Sequence, residues 1–142
     1  MAGFEDTPLA ILINAQIAVE LLQAHGVEAD FGEASLAWLE THIDEQRDTL
    51  TEERKRNLVD TVGAYFGTCL CFAYEGDWVQ VDESWGVSIG DLTAFPFSKV
   101  IKFIEDGAGD SFASLFSAIP TVIEHARLHQ DADAQDEDQP EE

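Results

Sequence analysis

Apolar residues recur at helical spacing three times before residue 75. Leu9, Ile13, Ile17 and Leu21 form one stripe that Leu12, Val19 and Leu22 widen, so the first helix is expected to be covered by other helices over most of its circumference. Thr7 as N-cap, Pro8 at the first helical position and Gly26 as a left-handed stop after His25 bound it. A second helix is expected from about Glu33 to about Arg47, with Leu36, Leu39 and Ile43 inward and Trp38 beside them. Thr51 then caps a third, whose first turn holds Glu52 and Glu53 and whose apolar line is Leu58, Val62, Tyr65, Phe66, Cys69 and Leu70. Gly63 and Gly67 lie inside it. Each costs a helix about 1 kcal/mol relative to alanine, so the pair is expected to mark close packing against a neighbour.

At Tyr74 to Asp77 the period shifts from 3.6 to 2. Trp78–Val81, Trp85–Ile89 and Leu92–Phe95 read as three short strands joined by turns at Asp82–Ser84 and Gly90–Asp91. Alternation puts Trp78, Gln80 and Asp82 on a face that looks polar, opposite Val79 and Val81. Pro96 opens a helix from about Phe97 to Asp106, with Phe97, Val100, Ile101 and Ile104 inward and Gly107 as its stop. Asp110 or Ser111 caps a last helix carrying Phe112, Leu115, Phe116 and Ile119, which Pro120 should kink or end. The fold class is therefore α+β: three N-terminal helices, a three-stranded antiparallel meander and two C-terminal helices, in one domain of residues 1–130. Residues 131–142 hold seven acids, no base and no large apolar side chain, the composition of a disordered acidic tail.

At 142 residues and 45% apolar, the chain can bury a single core without metal or disulfide staples. Its 29 acids against 7 bases give a net charge of −22, which repels phosphate backbones and anionic lipid, so neither nucleic acid nor membrane is an expected partner. The run from Leu9 to Leu22 is broken by Asn14, Gln16 and Glu20 and is too short to span a bilayer. The first residues carry acids where a secretory signal carries bases, which points to a cytoplasmic protein. Such a field favours a basic protein partner. The charge also fits adaptation to high salt, since Lys55, Lys99 and Lys102 are the only lysines. Monomer and homodimer both remain open at this level.

Several segments share a pattern with known sequences: Asp44–Leu50, the Gly63-Ala64-Tyr65-Phe66-Gly67 run, Gly76-Asp77-Trp78-Val79, Pro96–Val100 and Gly107–Ser111 followed by Phe112 and Phe116. From about Asp44 to Phe116 the chain resembles small bacterial domains of unassigned function found in short acidic proteins. The resemblance implies a fold and supplies no catalytic residues. Some small acidic proteins of comparable architecture act as immunity or partner-binding proteins.

Candidate chemistry is sparse. His125 and His129, four apart, would share a helix face and hold a metal between them, although cations in a last helical turn are also favoured by the dipole. Cys69 and Cys71 point about 200° apart on a helix, which makes them structural thiols in a reducing compartment. His42 lies among Glu40, Asp44, Glu45 and Asp48, a grouping that offers a general base and an orienting carboxylate. No nucleophile motif or phosphate-binding loop accompanies it. Asp82, Glu83 and Asp91 sit on the two hairpin turns, without the spacing of a calcium loop. Trp78 and Trp85, with Asp82 and Glu83, form the candidate partner-binding set, because aromatic side chains dominate interface energetics. Arg54, Lys55 and Arg56 are expected to pair with Glu52, Glu53 and Asp60. The first reading is a non-enzymatic protein-binding domain without a cofactor; the alternative is a small metal- or ligand-dependent enzyme using His125 and His129 or His42.

Overall fold

A computed structural model describes the backbone of residues 8–138, with the side chains of all but 108, 126–127 and 129–138. Among the described residues five helices and one antiparallel sheet follow one another in the expected order. They are α1 (Leu9–Ala24), α2 (Glu33–Gln46), α3 (Glu52–Tyr74), β1 (Asp77–Val81), β2 (Ser84–Ile89), β3 (Leu92–Ala94), α4 (Pro96–Asp106) and α5 (Phe112–Asp138), with 3-10 turns at Arg47–Thr49 and Gly107–Asp110. Thr7 lies outside the described residues.

Local chemistry sets the helix ends. Gly26, at φ +73°, terminates α1: its N–H and that of Val27 bond back to the carbonyls of Gln23 and Leu22, closing the last turn. The Thr51 hydroxyl accepts from the Arg54 N–H at 3.1 Å, and Ser111 accepts from the Ser114 N–H at 3.0 Å. Glu40 on α2 and Arg47 directly after it serve the ends of other helices. The Glu40 carboxylate accepts from the Ser111 hydroxyl and the Ala113 N–H at the positive end of α5, while Arg47 donates to the carbonyls of Phe103 and Ile104 at the negative end of α4.

The long α3 is the centre of the core. It packs against α1, α4 and the sheet, while α2 packs against α5. Leu58, Val62, Tyr65, Phe66, Cys69 and Leu70 are all buried, as their spacing predicts. The glycines act as expected. A β-carbon at Gly63 would stand 2.5 Å from Phe97, and one at Gly67 would overlap the six-membered ring of Trp78 and come within 3.1 Å of Pro96. Tyr65 carries a polar cluster in this core: its hydroxyl accepts from the Phe31 N–H at 3.0 Å and bonds the Ser35 hydroxyl at 2.7 Å, tying the α1–α2 connection to α3.

The sheet order is β1-β2-β3, with Trp78 opposite Val87 and Val87 opposite Ala94. These three are buried on the helix side. The face that looks polar in the sequence is thus the covered one, and the opposite face, with Val81 and Phe95, is exposed.

Two further expectations are corrected. Ile11, Ala15, Ala18 and Leu22 form the buried side of α1, while Leu9, Ile13 and Ile17 face outward, because small alanines let α1 lie close against α3. In α4 the inward position belongs to Phe103, and Ile101 is exposed. Helix α5 passes through Pro120 without ending. The missing proline N–H would have bonded the carbonyl of Phe116, and that carbonyl instead accepts from the Tyr74 hydroxyl at 2.6 Å. The helix also continues past residue 130, where the tail is expected to begin, as far as Asp138, through a stretch whose alanines and Gln135 favour helix despite the acids. Residues 139–142 lie outside the described residues.

Candidate functional site

The β1–β2 hairpin turns on two residues, Asp82 and Glu83, with Asp82 at φ +56°, a left-handed conformation that aspartate tolerates better than most side chains. Both acids are exposed. Trp85, the second residue of β2, stands opposite Gln80 and is half-buried. Its strand neighbours on the same face, Val87 and Ile89, continue into the core. Beside it lies an open recess of about 330 Å³ between the hairpin, α3 and α4. Trp85, Phe97 and Ile11 form its apolar lining, Asp60 and Glu83 its acidic lining, and none of the side chains described there is basic.

Of the four candidate partner-binding residues, the fold therefore brings Trp85 and Glu83 to one recess and leaves Asp82 on the adjoining turn. Trp78 is elsewhere. Only 5% exposed, it is held between Gly67 and Phe97, whose ring centroid is 5.9 Å from its own, and belongs to the core. It reads as a surface residue in the sequence because Gln80 and Asp82 share its face, but Gln80 is exposed near the end of β1 and Asp82 on the turn that follows, while Trp78 is buried. Asp60 was not visible as a site residue, since α3, the hairpin and α4 meet only in the folded chain. Asp91 lies on the other hairpin turn.

His42 stacks on Trp38 with ring centroids 5.0 Å apart and an interplanar angle of 12°, and both rings lie beside His25, at 5.5 and 5.0 Å. Glu40 is engaged at the start of α5 and Asp44 with Arg47. Two of the acids near His42 in sequence are thus committed elsewhere, and its ring packs against aromatic neighbours. Desolvation, then the neighbouring His25, holds the His42 imidazole below its ordinary pKa, with Arg54 acting in the same direction and Glu45 against it. A histidine favoured as neutral in the folded state binds fewer protons than its unfolded counterpart. Its contribution is complete above about pH 6.5, the ordinary histidine value, and declines as the pH falls below it. Urea unfolding between pH 7.5 and 5 is expected to show a falling midpoint in this window, and His42→Gln should flatten it; an unchanged slope would assign the effect to other groups.

Cys69 and Cys71 are both buried as free thiols, and burial pushes both up, Cys71 to about 12, which suppresses the reactive thiolate. His125 is exposed on α5, near Glu124 and Leu128 at a shallow depression. The side chain of His129 lies outside the described residues. Among the described residues no three histidine, cysteine or carboxylate side chains converge as metal ligands. Lys55 pairs with Glu52 at 3.5 Å, and Arg54 donates to Gln46 at 2.7 Å. No helix is long and apolar enough to cross a membrane among the described residues. Comparison of the chain with family models, curated proteins and solved structures finds no match.

Proposed function

We propose that this chain is a protein-binding domain whose recess beside the β1–β2 hairpin takes an arginine or lysine side chain of a basic partner. The observation that supports the reading is the lining: two aromatic rings, Trp85 and Phe97, and two carboxylates, Asp60 and Glu83, in one hollow. A guanidinium stacks on an aromatic face and bonds carboxylates in its own plane, so such a hollow satisfies both of its preferences. The net charge of −22 steers a cationic partner toward the domain before any contact is made. An immunity-like protein covering a cationic toxin surface, or an adaptor, would work in this way.

The test uses a short arginine-bearing peptide titrated into the full chain and followed at the indole N–H signal of Trp85. Glu83→Gln and Trp85→Ala are each expected to weaken binding about fivefold or more. Glu28→Gln, which removes the same charge from a distant exposed loop, should change it less than about twofold. Association should slow as salt rises. Equal losses at Glu83 and Glu28 would mean that the peptide senses only the overall field, and the recess would not be the site.

A further inference from the structure

Helix α1 carries apolar side chains around most of its circumference, interrupted by Asn14, Gln16, Glu20 and Gln23, yet among the described residues only one side is covered. Ile11, Ala15, Ala18 and Leu22 are buried against α3, while Leu9 (70% exposed), Ile13 (51%) and Ile17 (45%) stand on the opposite side, with Leu12 beside them. Apolar helix faces of this kind are ordinarily buried. The same 16 residues contain one carboxylate, Glu20, and no base, in a chain that carries −22. Among the described residues, an uncovered apolar ridge and a sparsely charged stretch of surface thus coincide.

We propose that two copies of this chain associate through α1, ridge against ridge and antiparallel, about a two-fold axis near Ile13. A partner drawn in by negative charge is basic and finds on this face of α1 a single carboxylate, Glu20, one turn beyond Ile17. A second copy is repelled by the acidic surface at large, and this ridge is where that repulsion is weakest. The residues are also self-complementary in shape. Leu9, Ile13 and Ile17 follow the i, i+4 row of the helix, and two such rows interlock with axes crossing at about 50° and 8–10 Å apart. With the crossing at Ile13, each Glu20 lies about 10 Å along its own axis from the centre, on opposite sides. The two carboxylates are then roughly 20 Å apart, about twice the screening length at 0.1 M salt. The exposed parts of the four side chains and their flanks amount to on the order of 1,000 Å² for a pair, where specific interfaces begin. The recess at Trp85 lies toward the buried side of α1, where Ile11 lines it, so pairing leaves it open.

Sedimentation equilibrium of the full chain at 0.05 and 0.5 M NaCl tests this. The mass is expected to approach twice 15.7 kDa with rising concentration, at lower concentration in the higher salt. This is the reverse of the salt response expected for a basic partner, so the two proposals fail separately. Ile13→Glu should raise the dissociation constant about tenfold or more, by facing two carboxylates across the axis, with the helical circular dichroism retained because the position is half open. Independently of that variant, Ile13→Cys should oxidise to a covalent dimer much faster than Glu28→Cys; both native cysteines are buried. A mass of 15.7 kDa at every concentration and salt overturns the proposal, as does a dimer that persists in Ile13→Glu and does not cross-link through position 13.

Discussion

Phe112→Ala is expected to lower the stability of this fold by about 3 to 5 kcal/mol, the range for removing a fully buried phenylalanine. Phe112 opens α5, and none of its surface is exposed. Its ring centroid lies 5.6 Å from that of Phe66 on α3 and 5.3 Å from that of Phe103 on α4, the second in an edge-on contact. One side chain therefore joins three helices, and truncation leaves a hole bounded by two rigid rings that cannot collapse into it. For a chain of this length the loss corresponds to roughly 10 to 15 °C in melting temperature. Phe112→Leu, which keeps more of the volume, should cost less than half as much. Chemical denaturation of both variants decides the matter. A loss near 1 kcal/mol for the alanine would mean that α5 does not seat its first turn in the core.

The second large effect concerns Gly67, where two general rules oppose one another. Glycine to alanine in mid-helix is worth about 1 kcal/mol in favour of alanine. The added methyl, however, would overlap the six-membered ring of Trp78, which packs against Phe97, and would come within 3.1 Å of Pro96. Overpacking of this kind costs about 1 to 3 kcal/mol, occasionally more, so with the helical gain subtracted Gly67→Ala is expected to be destabilising by about 1 to 2 kcal/mol. Trp78→Phe removes the ring atoms that collide. It also removes an indole N–H that is buried without a hydrogen-bond partner among the described residues. In that background Gly67→Ala should become neutral or stabilising by up to about 1 kcal/mol. A double-mutant cycle from urea unfolding reads the change of sign directly. Equal costs in the two backgrounds would show that the indole is not what excludes a side chain at position 67.

The recess and the α1 ridge make different demands of the same charge. Under the two proposals, binding at Trp85 and Glu83 would be helped by the negative field and weakened as salt screens it, whereas pairing through Leu9, Ile13 and Ile17 would be opposed by that field and strengthened by salt. Ionic strength would thus set the balance between a partner-seeking monomer and a dimer with its recesses still open.

The order of elements, the caps at Gly26, Thr51 and Ser111, the buried line of α3 and the packing role of Gly63 and Gly67 were legible in the chain itself. Each rests on periodicity or on hydrogen bonds between residues a few positions apart, and such interactions are present in any conformation that forms the element. The faces were a different matter. Leu9, Ile13 and Ile17 make the more strongly apolar stripe of α1, yet the side with Ala15 and Ala18 is buried, since close approach to α3 rewards small residues and periodicity counts only hydrophobicity. Trp78 shares a strand face with polar neighbours, but the Gly67 gap that receives it belongs to another element. Tyr74 makes good the hydrogen bond that Pro120 leaves open across 42 residues of chain. The recess joins Asp60, Glu83, Trp85 and Phe97 from three elements, and His42 meets His25 from a neighbouring helix. The order and type of the elements follow from local pattern, because periodicity and capping act between near neighbours, whereas the extent of α5 does not. Only the tertiary structure decided which surfaces are covered and which residues share a site, because these depend on the shapes of distant segments brought together.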